Sequence, residues 1–213
     1  MPAIAELDPV FQNFKEKGVS ELILDLRYNT GGLMIIAQHL ASLIAGNDVV
    51  NKTFCKVKYN ERHVLYNKTY HFVEVKNSLN LDSVIVITTG ASCSASELLI
   101  NSLKPYMDVV VIGSPTCGKP VGMSPLSVCD HYIMPVTNEV VNAFDHGGYY
   151  DGIDVDCPAV DDLSRSFGDV HEDSLQEALY YIENQQCSYR KRQKTEASKP
   201  FPLNGFKQEI GAF

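Results

Sequence analysis

Three apolar runs of strand length constrain this chain most: "ELILDL" (21–26), "SVIVITT" (83–89) and "DVVVIG" (108–113). Each is a nearly continuous stretch of Val, Ile and Leu rather than an apolar/polar alternation, the pattern of a strand buried on both faces. Between them lie two stretches with helical character, "LMIIAQHLASLIAG" (33–46) and "ASELLINSLKP" (95–105), the second closed by Pro105. Strands alternating with helices imply a parallel sheet covered by helices, an α/β fold.

The remaining segments decorate that core. At the start, Asp8 is placed to cap a short helix with Pro9 in its first turn, Val10, Phe11 and Phe14 on one face and Gly18 as the stop. Residues 49–80 read as inserted strands or a β-hairpin, because "TFCKVKYN" and "KTYHFVEV" alternate and "NERHVLYNK" has no helical stripe. Within 126–142, two strands are expected around a turn at Thr137-Asn138. Leu175, Ala178, Leu179 and Ile182 recur at helical spacing in 172–185. With 213 residues, one core over 1–187 and a polar tail over 188–213 is the expected organisation.

A formal charge of -8 and a pI near 5.2 leave no basic excess to neutralise phosphates, so nucleic acid and anionic membranes are not expected partners. The basic cluster Arg190, Lys191, Arg192 and Lys194 reads as a solvated tail. No apolar stretch reaches the ~18 residues of a membrane helix, and no basic-then-apolar leader opens the chain. Without C-x-x-C spacing the six cysteines need not form bridges, and no zinc site is expected.

The stretch "GSPTCGKP" (113–120) nearly matches a phosphate-cradling loop, but Pro120 replaces the hydroxyl that would hold magnesium. Gly122 and Pro125 oppose the helix such a loop needs. The other loop that leaves an apolar run, "TTGASCSASELL" (88–99), admits two readings. Ser94-Ala95-Ser96-Glu97 is a capping box; equally, Ser94 is a nucleophile at a strand-to-helix turn, beside amides that can bind an oxyanion. His39, His131 and His146, the last beside Asp145, are possible bases, though no spacing singles one out. A neutral lysine can serve instead. At the ordinary lysine pKa of about 10.4 only about one side chain in 10³ is neutral at pH 7, so such a site must desolvate Lys119.

Taken together, "LILDLRYNTGG", "TTGASCSASELL" and "GSPTCGKP" resemble the carboxy-terminal processing proteases, the tail-specific S41 serine peptidases. In that family the first serine of S-A-S-E is the nucleophile and the lysine of T-x-G-K, 25 positions later, is the base; Lys119 follows Ser94 by 25 positions. The resemblance implies a ClpP/crotonase-like α/β core over roughly 8–185, with a mostly parallel sheet flanked by helices and inserted β-hairpin elements. It implies an oxyanion hole formed by Ala95 with Gly31 or Gly32, the choice between them left open. It also gives supporting places to Asp25, Arg27, Asn29, Glu97, Thr116, Gly118 and Met123. A polypeptide substrate, no cofactor, no metal and a location outside the cytoplasm are implied, with a PDZ module expected in the longer protein.

Two positions depart from the family: Met123 stands where many members carry a glutamine that orients the lysine, and Pro120 where glycine is usual. Cys93 and Cys117, flanking Ser94 and Lys119, read as small buried packing residues. The acidic stretch "DGIDVDCPAVDD" lacks calcium-loop spacing and resembles the family's G-I-x-P-D segment. The leading expectation is a serine endopeptidase acting on unstructured or C-terminal polypeptide. A non-catalytic domain binding peptide or a hydrophobic ligand on the same core is the alternative. A crotonase-type acyl enzyme finds no acid or base pair beyond Ser94 and Lys119.

Overall fold

The computed structural model describes residues 2–188. The three apolar runs become strands β1 (Ile23–Asp25), β4 (Ser83–Thr88) and β5 (Asp108–Gly113), joined at one edge by the short β10 (Cys157–Pro158). They form one parallel sheet in the order β1-β4-β5-β10. Burial on both faces explains the unbroken apolar runs. Val84 and Val86 point into a core shared with α2 (Met34–Ala45) and α3 (Ala95–Leu103). Ile85, Ile87 and Ile112 point the other way, against α4 (Asp173–Asn184). The mixed α/β architecture with a helix-flanked parallel sheet is therefore as the sequence implies.

The expected insertion is half of a second sheet. Strands β2 (Thr53–Tyr59) and β3 (Lys68–His71) pair antiparallel, and the connector between them, which shows no helical stripe in the sequence, holds a 3₁₀ segment, Glu61–Tyr66. β2 pairs in turn with β9 (Val136–Val141), and β9 with β6 (Val121–Met123), in the order β3-β2-β9-β6. Thr137 and Asn138 do not turn: Asn138 pairs with both Tyr59 and Gly122 in mid-sheet, and this pairing overrides local turn propensity. The turn lies at Cys129-Asp130, between β7 (Leu126–Val128) and β8 (His131–Ile133), with Cys129 at φ 52°.

Helix α1 spans Pro2–Glu16 and runs through Pro9 instead of starting there. Ile4, Leu7, Phe11 and Phe14 form one inward stripe that continues across the proline, whereas Pro9 and Val10 face solvent, where a missing amide bond is tolerated. Asp8 is consequently not a cap; its carboxylate pairs with His39 Nε2 at 2.7 Å. Gly18 does stop the helix, at φ 65°, with Val19 N–H donating to Phe14 O and Gly18 N–H to Lys15 O. The polar tail lies outside the described residues from 189 onward, and with it the basic cluster of residues 190–194.

The cysteines depart from the sequence reading. Cys93 and Cys117 form one disulfide, and Cys157 and Cys187 another, so Cys93 and Cys117 are covalent partners and not packing residues. Spacing along the chain could not reveal this, because the pairs are 24 and 30 residues apart and meet only once the sheet is built. The second bridge ties β10 to the end of α4; closing a loop of that length is worth roughly 3–4 kcal/mol by loss of unfolded-chain entropy. Cys55 and Cys129 are free, Cys55 buried and Cys129 exposed. Burial pushes the Cys55 thiol up to about 12.

Native, unreduced protein treated with iodoacetamide at pH 8 is expected to take one adduct, at Cys129, and a second, at Cys55, only in denaturant. Peptide mapping checks this. A native adduct at Cys93, Cys117, Cys157 or Cys187 would contradict the bridges.

Candidate functional site

The carboxyl ends of the three adjacent strands lie side by side, with Asp25 opposite Ile87 and Thr88 opposite Gly113. The loops that follow, 26–32, 89–94 and 114–120, therefore converge at one edge of the sheet, where open α/β folds place ligands. All three motifs singled out in the sequence sit on these loops.

The first loop is docked onto the second through Asn29. The Asn29 carbonyl accepts from Cys93 N–H (3.0 Å) and Ser96 Oγ (2.9 Å), and its side-chain oxygen accepts from Gly31 N–H (3.0 Å). Ser92 Oγ donates to Leu26 O at 2.7 Å, adding a second tie. Gly31, at φ 94°, lies so close to the second loop that a Cβ there would meet Cys93 O at 2.6 Å and Ala95 N at 2.8 Å. Only glycine allows that approach. Among the described residues, the amides of Gly32 and Ala95 have no hydrogen-bond acceptor, whereas that of Gly31 is taken by Asn29.

Ser94 precedes α3 at φ 56°, ψ −110°, a strained conformation for a residue with a side chain. A serine that merely caps a helix sits in the extended region, so capping alone does not account for this turn. Glu97 does reach back to Ser94 N–H (2.8 Å), as in a capping box, but it does more. Its fully buried carboxylate also accepts from Thr116 Oγ1 (2.6 Å), Gly118 N–H (2.8 Å) and Lys119 N–H (2.9 Å). One carboxylate thus fixes the backbone at both Ser94 and Lys119. Cys93–Cys117 bridges the same two loops covalently, and Cys117 N–H donates to Ser92 O. Thr116 Oγ1 accepts from Ile153 N–H at 2.7 Å, and Gly118, at φ 87°, presses against the Tyr150 carbonyl.

Ser94 and the half-buried Lys119 line one cleft of about 530 Å³ together with Gly31, Gly32 and Ala95. Its apolar wall includes Met34, Leu98, Met123, Met134 and Val140. Met123 projects from β6 and brings a thioether, which is a weak acceptor and no donor. Tyr149 also lines the cleft, and burial, reinforced by the Glu97 charge, pushes its phenol well above the ordinary range. No histidine lines this cleft among the described residues: His39 is paired with Asp8, and His131 is on the exposed β8.

Asp25 and Arg27 sit behind the first loop, not in the cleft. Asp25 accepts from Arg27 through Nη2 (2.7 Å) and from the Arg27 amide (3.0 Å). The guanidinium also pairs with Asp161, within the acidic stretch 151–162, and with Glu172, at the start of the 172–185 segment, a role for these two residues that no motif in the sequence indicates. The hydrogen bond to Asp25, with the other two carboxylates adding, raises the guanidinium above its already high pKa, so its charge is permanent.

The sequence model of peptidase family S41 matches residues 2–158. A probable CtpA-like serine protease of Staphylococcus saprophyticus is 28% identical over 133 residues, covering 62% of this chain and 26% of its own length. Its Staphylococcus aureus counterpart is 33% identical over 115 residues, covering 54% and 22%. A crystal structure from Bacteroides fragilis assigned to the S41 proteases superposes with a TM-score of 0.79 at 35% identity, over 85% of this chain and 49% of that one. The photosystem II D1 C-terminal processing protease shares the fold, with a TM-score of 0.59 at 20% identity, over 73% and 38%. The chain spans about a quarter of the length of these curated relatives and about half that of the Bacteroides fragilis chain.

Replacing Glu97 by Ala strands three backbone donors and a hydroxyl in a buried site. At roughly 1–3 kcal/mol per unsatisfied group, partly relieved by rotation of the Thr116 hydroxyl, the loss is expected to be about 3 kcal/mol or more. Urea unfolding of the variant checks this, and a loss under about 1 kcal/mol would contradict the role given to the carboxylate.

Proposed function

The chain belongs to peptidase family S41, and from that premise we propose that it is a serine endopeptidase working through Ser94 and Lys119. The observation that carries the reading is the strained turn at Ser94, held by the same buried Glu97 that fixes the Lys119 backbone across a shared cleft. Neutral Lys119 takes the Ser94 proton as Oγ attacks the scissile carbonyl, and returns it to the leaving amine; water then hydrolyses the acyl-enzyme. The amides of Gly32 and Ala95 receive the developing oxyanion, because Gly31 N–H is already committed to Asn29. The substrate is an unstructured or C-terminal polypeptide segment lying along the apolar wall. The two disulfides favour an oxidising compartment outside the cytoplasm.

Met123 supports a second reading. It puts a thioether into the cleft wall and offers Lys119 no strong acceptor, as suits a site that binds a peptide or a hydrophobic ligand without cleaving it.

Incubation with an unfolded protein and with a serine-directed fluorophosphonate separates the two. The peptidase reading expects cleavage and labelling, both at least about 10³-fold weaker in Ser94→Ala and Lys119→Met. It also expects activity that climbs toward alkaline pH as the neutral lysine fraction grows. Folded wild type that neither cleaves nor labels would favour the binding reading, and activity that survives Lys119→Met would remove the lysine as base.

A further inference from the structure

The Arg27–Tyr28 end of the first loop is held from a part of the chain that the family match does not reach. Arg27 has a largely buried side chain and contacts three carboxylates: Asp25 at 2.7 Å, Glu172 at 2.9 Å and Asp161 at 3.1 Å. Tyr28 donates its hydroxyl to Asp161 and sits at φ 60°, a backbone state that needs such outside support. Asp161 and Glu172 lie beyond residue 158, where the S41 match ends. They are themselves anchored: Glu172 caps α4 through Ser174 N–H and Leu175 N–H, and Ser174 Oγ donates to Val160 O. Cys157–Cys187 ties this stretch to the sheet edge, and burial raises the Asp161 carboxyl despite the pull of Arg27.

Asn29 fastens the loop to the Ser94 side, while Arg27 and Tyr28 fasten it to the 159–174 segment. Gly32 follows within four residues of Tyr28. We propose that Asp161 and Glu172 are positioning residues, which hold Arg27 and Tyr28 so that the Gly32 amide stays aimed into the cleft. This rests on the serine-peptidase reading, in which that amide receives the oxyanion. Neither carboxylate touches reacting atoms; both act through the loop. A looser loop weakens stabilisation of the transition state more than binding of the substrate.

The test compares the wild type with Asp161→Asn/Glu172→Gln and with the charge-conserving Glu172→Asp. Hydrogen exchange of residues 26–32 and peptide hydrolysis are read together. In the double variant, exchange at 26–32 is expected to rise at least about 10-fold while β4 and β5 amides stay protected. Its kcat is expected to fall about 10- to 100-fold with KM within about 2-fold, the size of effect a small misplacement produces. Glu172→Asp should retain most of both properties. Unchanged exchange at 26–32 overturns the coupling whether or not the wild type cleaves peptide. Raised exchange with an unchanged kcat overturns the catalytic role and leaves the Ser94–Lys119 reading standing, since that reading fails only on the Ser94 and Lys119 variants.

Discussion

A single buried carboxylate organises the cleft. Glu97 is taken fully out of water, a costly placement that is tolerable only because four donors surround it. Two of those donors are the backbone amides of Ser94 and Lys119, residues 25 positions apart on loops that leave neighbouring strands. Side chains on separate loops ordinarily drift relative to one another. Here their backbones share one acceptor, and the Cys93–Cys117 bridge adds a covalent limit to their separation. The first loop then closes on this unit through Asn29, so three loops behave as one frame.

The sheet supplies the precondition. Because β1, β4 and β5 are adjacent and parallel, their carboxyl ends open at the same edge, and the loops meet without long excursions. The second sheet brings β6 and Met123 to the cleft wall, while α4 and the Cys157–Cys187 bridge support the opposite side of the first loop.

Much of this was legible in the sequence. The unbroken Val/Ile runs announce buried parallel strands, and the S-x-x-E pattern places Glu97 within reach of Ser94. What the pattern could not show is that Glu97 also accepts from 116–119, since that contact depends on β4 lying beside β5. The disulfides were hidden for the same reason, as were the roles of Asp161, one acid of the stretch 151–162, and Glu172, at the start of a helical segment, until Arg27 is set among them. Local rules misled where tertiary context outweighed them. Pro9 lies within α1 because the inward stripe spans it, and Thr137-Asn138 is strand because both neighbours in the sheet claim it.

The rate at which a fluorophosphonate acylates Ser94 in Glu97→Leu tests the central claim most directly. Leucine fills much of the same space but offers no acceptor, so the amides of Ser94 and Lys119, which both donate to Glu97 Oε2, lose their common anchor. Acylation about 10²-fold slower than in wild type, in a variant whose circular dichroism is native, is the expected result. Equal rates in the two folded proteins would show that Ser94 and Lys119 are held in register by something other than this carboxylate.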